Sequence, residues 1–405
     1  MEQNHVSIGH SLYSTQKNLY GKISKTKNEE HDMNTEKRNI GVTGLRGILV
    51  LMTALGCHYS FLFGMIPASS ELGKKIFDIC YVLGLTAPNA FFVMSGYFMY
   101  HKYRPQIKGG LRFKNYLFPK IAKIYPLMFF STMYLFILEN LGKWKLGFYP
   151  LHGGGGELRF SIQALFSSLC GIQSGWFAEG DTMSVNGPSW FIAVLMLCYI
   201  VFFGVIKFCQ SRKSEWICYA LLLVIGTIFT VHPVPFPLLY ETSARGFLFF
   251  FEGCVLHVVM DMAKQVKKTN WLRCTVLSLM ALIIAILFLH GDFIVWQVAA
   301  WPCLTYLIFE FRPLDKFLSF APFVWAGNRS MSLFLGNLPI LTTFAWLNIW
   351  YEWNVDYGSW TIWILITFLN LTGGQLIYLT FEKWAPSVFQ RAIRLMAKKK
   401  NQKKK

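Results

Sequence analysis

The run VTGLRGILVLMTALGCHYSFLF, residues 42–63, decides how the rest of the chain is read. It is apolar over a length that crosses a bilayer, for which a helix needs roughly 20 residues. Yet Arg46 stands near its start and His58 deep inside it. Ionisable groups within a span are costly and mark functional positions by default. Two plainer roles stand beside that one. Arg46 can snorkel to the lipid headgroups, and His58 can be a hydrogen-bonded packing residue.

The same texture recurs outward from this run. Of the 405 residues, 54% are hydrophobic and only 15% are charged, where soluble domains carry about 25% charged residues. Ten apolar runs are separated by polar segments, at about 44–65, 76–100, 121–139, 189–206, 216–231, 244–260, 274–289, 293–309, 324–346 and 359–381. The expected fold class is all-α, a polytopic integral membrane protein of about ten transmembrane helices. The net charge of +18 comes from 39 basic and 21 acidic residues. Such an excess, gathered on one face, is a footprint of nucleic-acid binding. Here the basic residues lie between apolar runs and at the C-terminus, which suits membrane lipids with anionic headgroups and no nucleic acid. The nine cysteines are scattered, without a CxxC pair or a Cys/His cluster. That spacing suggests no metal site and no disulfide framework.

Basic residues follow the second, fourth, sixth, eighth and tenth runs, while the intervening loops are neutral or acidic. Positive charge near span ends marks the cytoplasmic side. Both termini and the segments 102–120 and 261–273 are therefore expected inside, with His152 and Tyr357 outside. Residues 1–41 read as a polar cytoplasmic tail, expected to be disordered, with no apolar core of a signal peptide. Either Met1 or Met33 can be the start. Residues 42–387 form the ten-helix domain, and 388–405 a basic cytoplasmic tail. Segment 140–188 is rich in glycine, including Gly153–Gly156. Its apolar stretch 161–172 is too short to span and reads as interfacial or re-entrant.

On this topology Arg46 lies at the cytoplasmic mouth of the first helix, and His58 is twelve residues on, about 18 Å higher. An elongated ligand entering from the cytoplasm would put an anionic head on Arg46 and a reactive end at His58. Histidine suits general-base work because its ordinary pKa is near neutral. Lys120 and Lys123, at i and i+3, share one helix face. With Arg46 they would form a cationic mouth for phosphates, or else anchor the helix. Ser95-Gly96 permits close helix approach. Asn186–Trp190 reads as an outer turn into a helix, with Ser189 as its cap. Arg245, Glu252 and Glu382 lie within spans and need partners. His257 sits near the basic inner end of the sixth run, where an interfacial role suffices. His232 and His290 read as loop residues.

Several stretches, in order, resemble the acyltransferase-3 family of membrane O-acyltransferases acting on surface polysaccharides. GLRGILVLMTALGCHYS (44–60) is similar to the family's opening Arg-Gly…His helix, and FFVMSGYFM (91–99) to its second-helix block. PKIAKIYPLMFF (119–130) resembles its basic-x-x-basic-Ile-Tyr-Pro block, with Lys120 and Lys123 where arginines are usual. NGPSWFIAVLMLCY, RGFLFFFEGCVL, GNRSMSLFLGNLPIL and TFEKWAP resemble its later blocks, and together these cover most of 42–387. The chain departs from the pattern in three places. The Arg-to-His spacing is one residue longer than usual, which rotates a regular helix by about 100°. Asn337 stands where the ninth-helix block often has histidine. The Trp190 block lacks the acidic residue of some branches, which leaves the acceptor class open.

The resemblance implies an O-acetyltransferase of the bacterial cytoplasmic membrane. It moves an acyl group from acyl-CoA, with acetyl-CoA as the expected donor, to a hydroxyl of a cell-surface or lipid-linked glycan. No bound cofactor is implied. It makes His58 and Arg46 catalytic, Arg46, Lys120, Lys123 and Tyr125 donor-binding, and Asn186, Ser189 and Trp190 acceptor-side residues. It leaves Ser95, Arg245, Glu252 and Glu382 as structural groups in the membrane. Two other classes stay open: a transporter of a glycan or small anion, since intramembrane His and Arg also serve proton relays, and a non-catalytic subunit of a glycan-assembly complex.

Overall fold

The computed structural model describes residues 40–64, 71–150, 156–177, 184–290 and 293–384. The expectations for the two tails, for His152, Gly153–Gly155 and Asp292, and for the side chain of His290 lie outside the described residues. All regular structure described is helical. The first run forms α1 (Ile40–Phe63). Then follow α2 (Glu71–Lys108), α3 (Phe113–Leu146), the short α4 (Gly156–Arg159) and α5 (Ile162–Cys170), α6 (Trp190–Phe208), α7 (Arg212–Val231) and α8 (Glu241–Gln265). The second half holds α9 (Thr269–His290), α10 (Phe293–Glu310), α11 (Arg312–Leu318), α12 (Ala321–Asn328), α13 (Ser330–Trp350) and α14 (Trp360–Ile377).

Among the described residues, eight helices are long and apolar enough to cross a membrane: α1, α2, α3, α6, α7, α8, α13 and α14 with the turn that follows it. This is a multi-pass integral membrane protein. In hydrocarbon every backbone N–H and C=O must be satisfied within its own segment, which is why apolar runs of this length become helices. The seventh and eighth expected runs fall within α9 and α10.

Two expectations are corrected. The basic segment after the second run is mostly helix: α2 continues to Lys108 and α3 begins at Phe113. Arg104 and Lys108 thus project from a helix onto Glu215 of α7, at 2.8 and 3.1 Å. The ninth run is two helices. The chain breaks at Arg329, whose guanidinium bonds the Trp325 carbonyl at 2.9 Å and reaches Gln375 of α14. Glu382 then accepts from both the backbone N–H and the hydroxyl of Ser332 in the first turn of α13. A carboxylate at a helix N-terminus satisfies donors that have no partner within the helix.

The core gathers on α1, α2, α6, α8 and α13, where Val50, Phe92, Val194, Phe250 and Leu335 are fully buried. Close backbone approach sets its geometry. A Cβ on Gly96 of α2 would overlap the Phe250 carbonyl of α8, and one on Gly253 of α8 would overlap the Val93 carbonyl of α2. Gly96 and Gly253 are thus reciprocal points of close approach between α2 and α8. Gly47 and Gly327 bring α1 against α12 in the same way.

Candidate functional site

Helix α1 is not regular between its two ionisable residues. Met52–Cys57 is a π-turn, and the His58 N–H bonds the carbonyl of Thr53, five residues back. An i→i+5 bond encloses one residue more than an α turn, and such bulges are frequent at functional sites. Twelve regular residues would leave Arg46 and His58 about 120° apart around the helix, whereas eleven would leave about 20°. The π-turn takes up the extra residue, so the two side chains serve one side of α1.

The same turn also holds His58. In a regular helix the Ala54 carbonyl would accept from the His58 N–H. Displaced from that role, it accepts from the Asn337 side-chain amide at 3.3 Å. The second hydrogen of that amide goes to Asn370 Oδ1 at 2.7 Å, and the Asn370 amide donates to the Ile366 carbonyl at 2.9 Å. Both nitrogens of this amide ladder are thereby committed as donors. Asn337 Oδ1 can then only accept, and it lies 2.9 Å from His58 Nδ1. A carbonyl oxygen takes no proton, so Nδ1 carries the hydrogen and the lone pair of the neutral imidazole sits on Nε2. Asn337 is 1% exposed and Asn370 2%, so the ladder is shielded from competing water.

The His58 ring lines a cavity of about 350 Å³ with Tyr81, Trp190, Glu241, Arg159 and Arg245. A second cavity of about 280 Å³ holds Arg46, Lys120, Lys123, Ser95, Tyr199 and Ser330. The two chambers share one wall residue, Phe334 of α13. Its ring centroid lies 6.1 Å from that of His58 and 6.0 Å from that of Phe191. A larger cavity of about 590 Å³ between α3, α13 and α14 is apolar and holds no charged side chain.

Arg46 is oriented by Ser330, whose hydroxyl accepts from its guanidinium at 2.7 Å. Lys120 donates to the Tyr116 carbonyl at 2.7 Å, with its ammonium 3.6 Å from the Tyr103 ring and 3.8 Å from the Tyr116 ring. An aromatic box of this kind stabilises a cation by roughly 0.5–2 kcal/mol per ring and gives a flexible lysine a fixed position.

The structure thus brings Arg46, Lys120 and Lys123 together and places Ser95 beside them. Tyr125 is not with them: it lines a different, mainly apolar cavity with Met128 and Trp176. Trp190 reaches the His58 cavity, but Asn186 and Ser189 are fully buried behind it. Asn186 donates to Ser131 and to the Leu335 carbonyl, both at 3.0 Å. Gln173 donates to the carbonyl and hydroxyl of Ser189, both at 3.0 Å. These two residues hold the start of α6 in place rather than facing a ligand. Arg245 is held by Asn89 at 3.3 Å and faces Glu241 at 3.8 Å. Glu252 is partly buried on α8, and its Oε2 has no hydrogen-bond partner among the described residues. His257 pairs with His101 at 3.0 Å, away from both chambers.

Two contributors were not found from sequence. Asn337 registered only as a departure from the family pattern. Arg159 sits in a glycine-rich segment with no motif, and only the fold carries it to Gly187, where a Cβ would lie 3.6 Å from Nη1. Among the described residues no group of His, Cys, Asp and Glu side chains could hold a metal ion. Residues 39–379 match the model of a family described as an acyltransferase domain. No curated protein and no solved structure matches the chain.

Proposed function

The chain belongs to the acyltransferase-3 family, and on that premise we propose that it moves an acyl group from acyl-CoA to a hydroxyl of a glycan. The observation that carries this reading is the pair of chambers meeting at Phe334, one cationic and one holding an oriented imidazole. The donor enters from the cytoplasm, with both termini on that side. Arg46, Lys120 and Lys123 hold its phosphates, and the thioester passes Phe334 to reach His58. Acetyl-CoA is the proposed donor, and a cell-surface or lipid-linked glycan the proposed acceptor.

His58 Nε2 takes the proton of the acceptor hydroxyl as its oxygen attacks the thioester carbonyl. The tetrahedral intermediate collapses with cleavage of the C–S bond. The imidazolium returns the proton to the departing thiolate, giving the ester and free CoA. Asn337 does not touch substrate. It fixes the tautomer, and its carbonyl bond to Nδ1–H strengthens as the ring becomes charged. This direct transfer requires no covalent acyl-enzyme.

Purified protein in lipid vesicles, given acetyl-CoA and a hydroxyl acceptor, should release CoA and form the ester. Counterflow of a glycan or anion with no CoA release would favour a transporter instead.

A further inference from the structure

The two chambers lie toward opposite ends of the same helices. On α1 the cationic chamber takes Arg46 and the other takes His58; on α2 they take Met99 and Tyr81; on α13 they take Ser330 and Leu338. The most closely spaced of these pairs is eight residues apart, which in a helix is a rise of about 12 Å. Whichever way the bundle is oriented, the chambers belong to opposite halves of the bilayer. Between them stands Phe334, the one residue among those described that lines both. Phe334 is 5% exposed. Its ring meets Phe191 with centroids 6.0 Å apart, and Phe191 is backed by Phe92 at 4.6 Å. On its other side it stands 6.1 Å from the His58 ring. A constriction made of apolar rings excludes water and ions by dewetting, with no fixed plug. The backbone that carries this ring is pinned in both chambers. Ser330, four residues before Phe334, accepts from Arg46 at 2.7 Å, and Asn337, three residues after it, accepts from His58 Nδ1 at 2.9 Å. Opening therefore requires rotation of a side chain between staggered positions, not displacement of a helix.

We propose that Phe334 is the partition between the two membrane faces inside this protein, and that by keeping the passage dry it makes the acceptor hydroxyl, rather than water, the nucleophile. The ring closes on Phe191 at rest and turns aside for the pantetheine arm of the donor. Its role in choosing the nucleophile rests on the acyl-transfer reading above; its role as a barrier does not. Without the ring, water from the His58 chamber reaches a thioester waiting beside Arg46. Water oxygen then attacks the carbonyl, His58 takes the proton, the C–S bond breaks and the proton passes to the thiolate, giving acetate and free CoA. Excluding that side reaction is a recognised use of a closed site.

The test uses full-length protein in lipid vesicles, with Phe334→Ala, Phe334→Met and Phe344→Ala beside wild type. Phe344 lies on the same helix but lines the separate apolar cavity, so its variant controls for loss of a buried ring alone. Three quantities are read: iodide entry, by quenching of a trapped halide-sensitive dye; acetate released from acetyl-CoA without acceptor, as a ratio to ester formed with acceptor; and the unfolding temperature. In Phe334→Ala both iodide entry and the hydrolysis ratio should rise about 10- to 100-fold, the factor that corresponds to burial of one large apolar side chain. Phe334→Met, apolar and similar in reach, and Phe344→Ala should stay near wild type. If Phe334→Ala does not fold, Phe334→Leu decides, with a smaller rise in the same two readouts. A folded variant that stays tight, that leaks without added hydrolysis, or that leaks no more than Phe344→Ala overturns the proposal. Ester formation by wild type with a tight Phe334→Ala would sink the partition and leave the acyl-transfer reading standing. A leak through Phe334→Ala in a protein that never releases CoA would keep the barrier and sink that reading.

Discussion

Replacing Asn337 by alanine isolates what the amide ladder contributes to catalysis. The variant loses the oxygen that accepts from His58 Nδ1 at 2.9 Å and both donors to Ala54 and Asn370. For the neutral ring the lost bond is worth about 0.5–1.5 kcal/mol, and for the imidazolium about 1.5–3 kcal/mol. The difference, roughly 1–1.5 kcal/mol, acts only when the ring is charged and corresponds to about a 5- to 12-fold loss in rate. Without the ladder both neutral tautomers are populated, which removes up to about another factor of two. We expect kcat to fall roughly 10- to 25-fold with the KM for acyl-CoA unchanged, the signature of an interaction made in the transition state. Two orphaned acceptors also cost about 1–3 kcal/mol each in stability, so thermal unfolding must accompany the kinetics. Initial rates of CoA release across an acyl-CoA series give both constants. A folded variant with kcat within twofold of wild type would refute the argument and leave Asn337 as packing alone.

Further outcomes follow from other groups. His58→Ala should abolish detectable transfer, since loss of a general base costs about 100- to 10,000-fold, while His257→Ala keeps most activity; retention of a tenth of turnover by His58→Ala would return that residue to packing. Lys120→Ala with Lys123→Ala should raise the KM for acyl-CoA more than it lowers kcat, and an unchanged KM in folded protein would make both lysines anchors. Glu215→Ala strands Arg104 and Lys108, whose side chains are 18% and 31% exposed against 3% for Glu215. Its cost should fall near or below the low end of the roughly 3–5 kcal/mol for a broken buried pair, read as a lower unfolding temperature in detergent. A cysteine at position 357 should react with an impermeant label from outside intact cells and one at position 108 should not; the opposite pattern would invert the topology.

The spans were legible because the bilayer imposes them: an apolar run of this length has few alternatives to a helix. Their ends were harder to read. Lys102–Lys108 reads as loop by charge, yet it remains helical, and Arg104 and Lys108 within it bind Glu215. The break at Arg329 carries no proline signal at that point. Its causes, the contacts of Arg329 with Gln375 and of Glu382 with Ser332, come from α14 and the turn beyond it. The site divides along the same line. Arg46 and His58 stood out because each contradicts the run that contains it. Asn337 meets His58 across 279 positions of sequence, and Arg159 reaches Gly187 only through the folding of a motif-free segment. No local pattern encodes such meetings.

The π-turn at Met52–Cys57 also changes how this helix tolerates variation in length. Because the turn already stores one surplus residue, removing a single residue there should convert it to ordinary α geometry, with Arg46 and His58 still on one side. A gap aligned at either end of the helix would misplace one of the two, whereas a gap inside 52–57 keeps both in register. The carbonyl of Ala54 would then return to the backbone ladder, and Asn337 would lose one of its two anchors. A relative with the shorter helix therefore needs a different means of orienting its histidine. The length of this one turn and the identity of the residue at 337 are coupled characters, expected to change together.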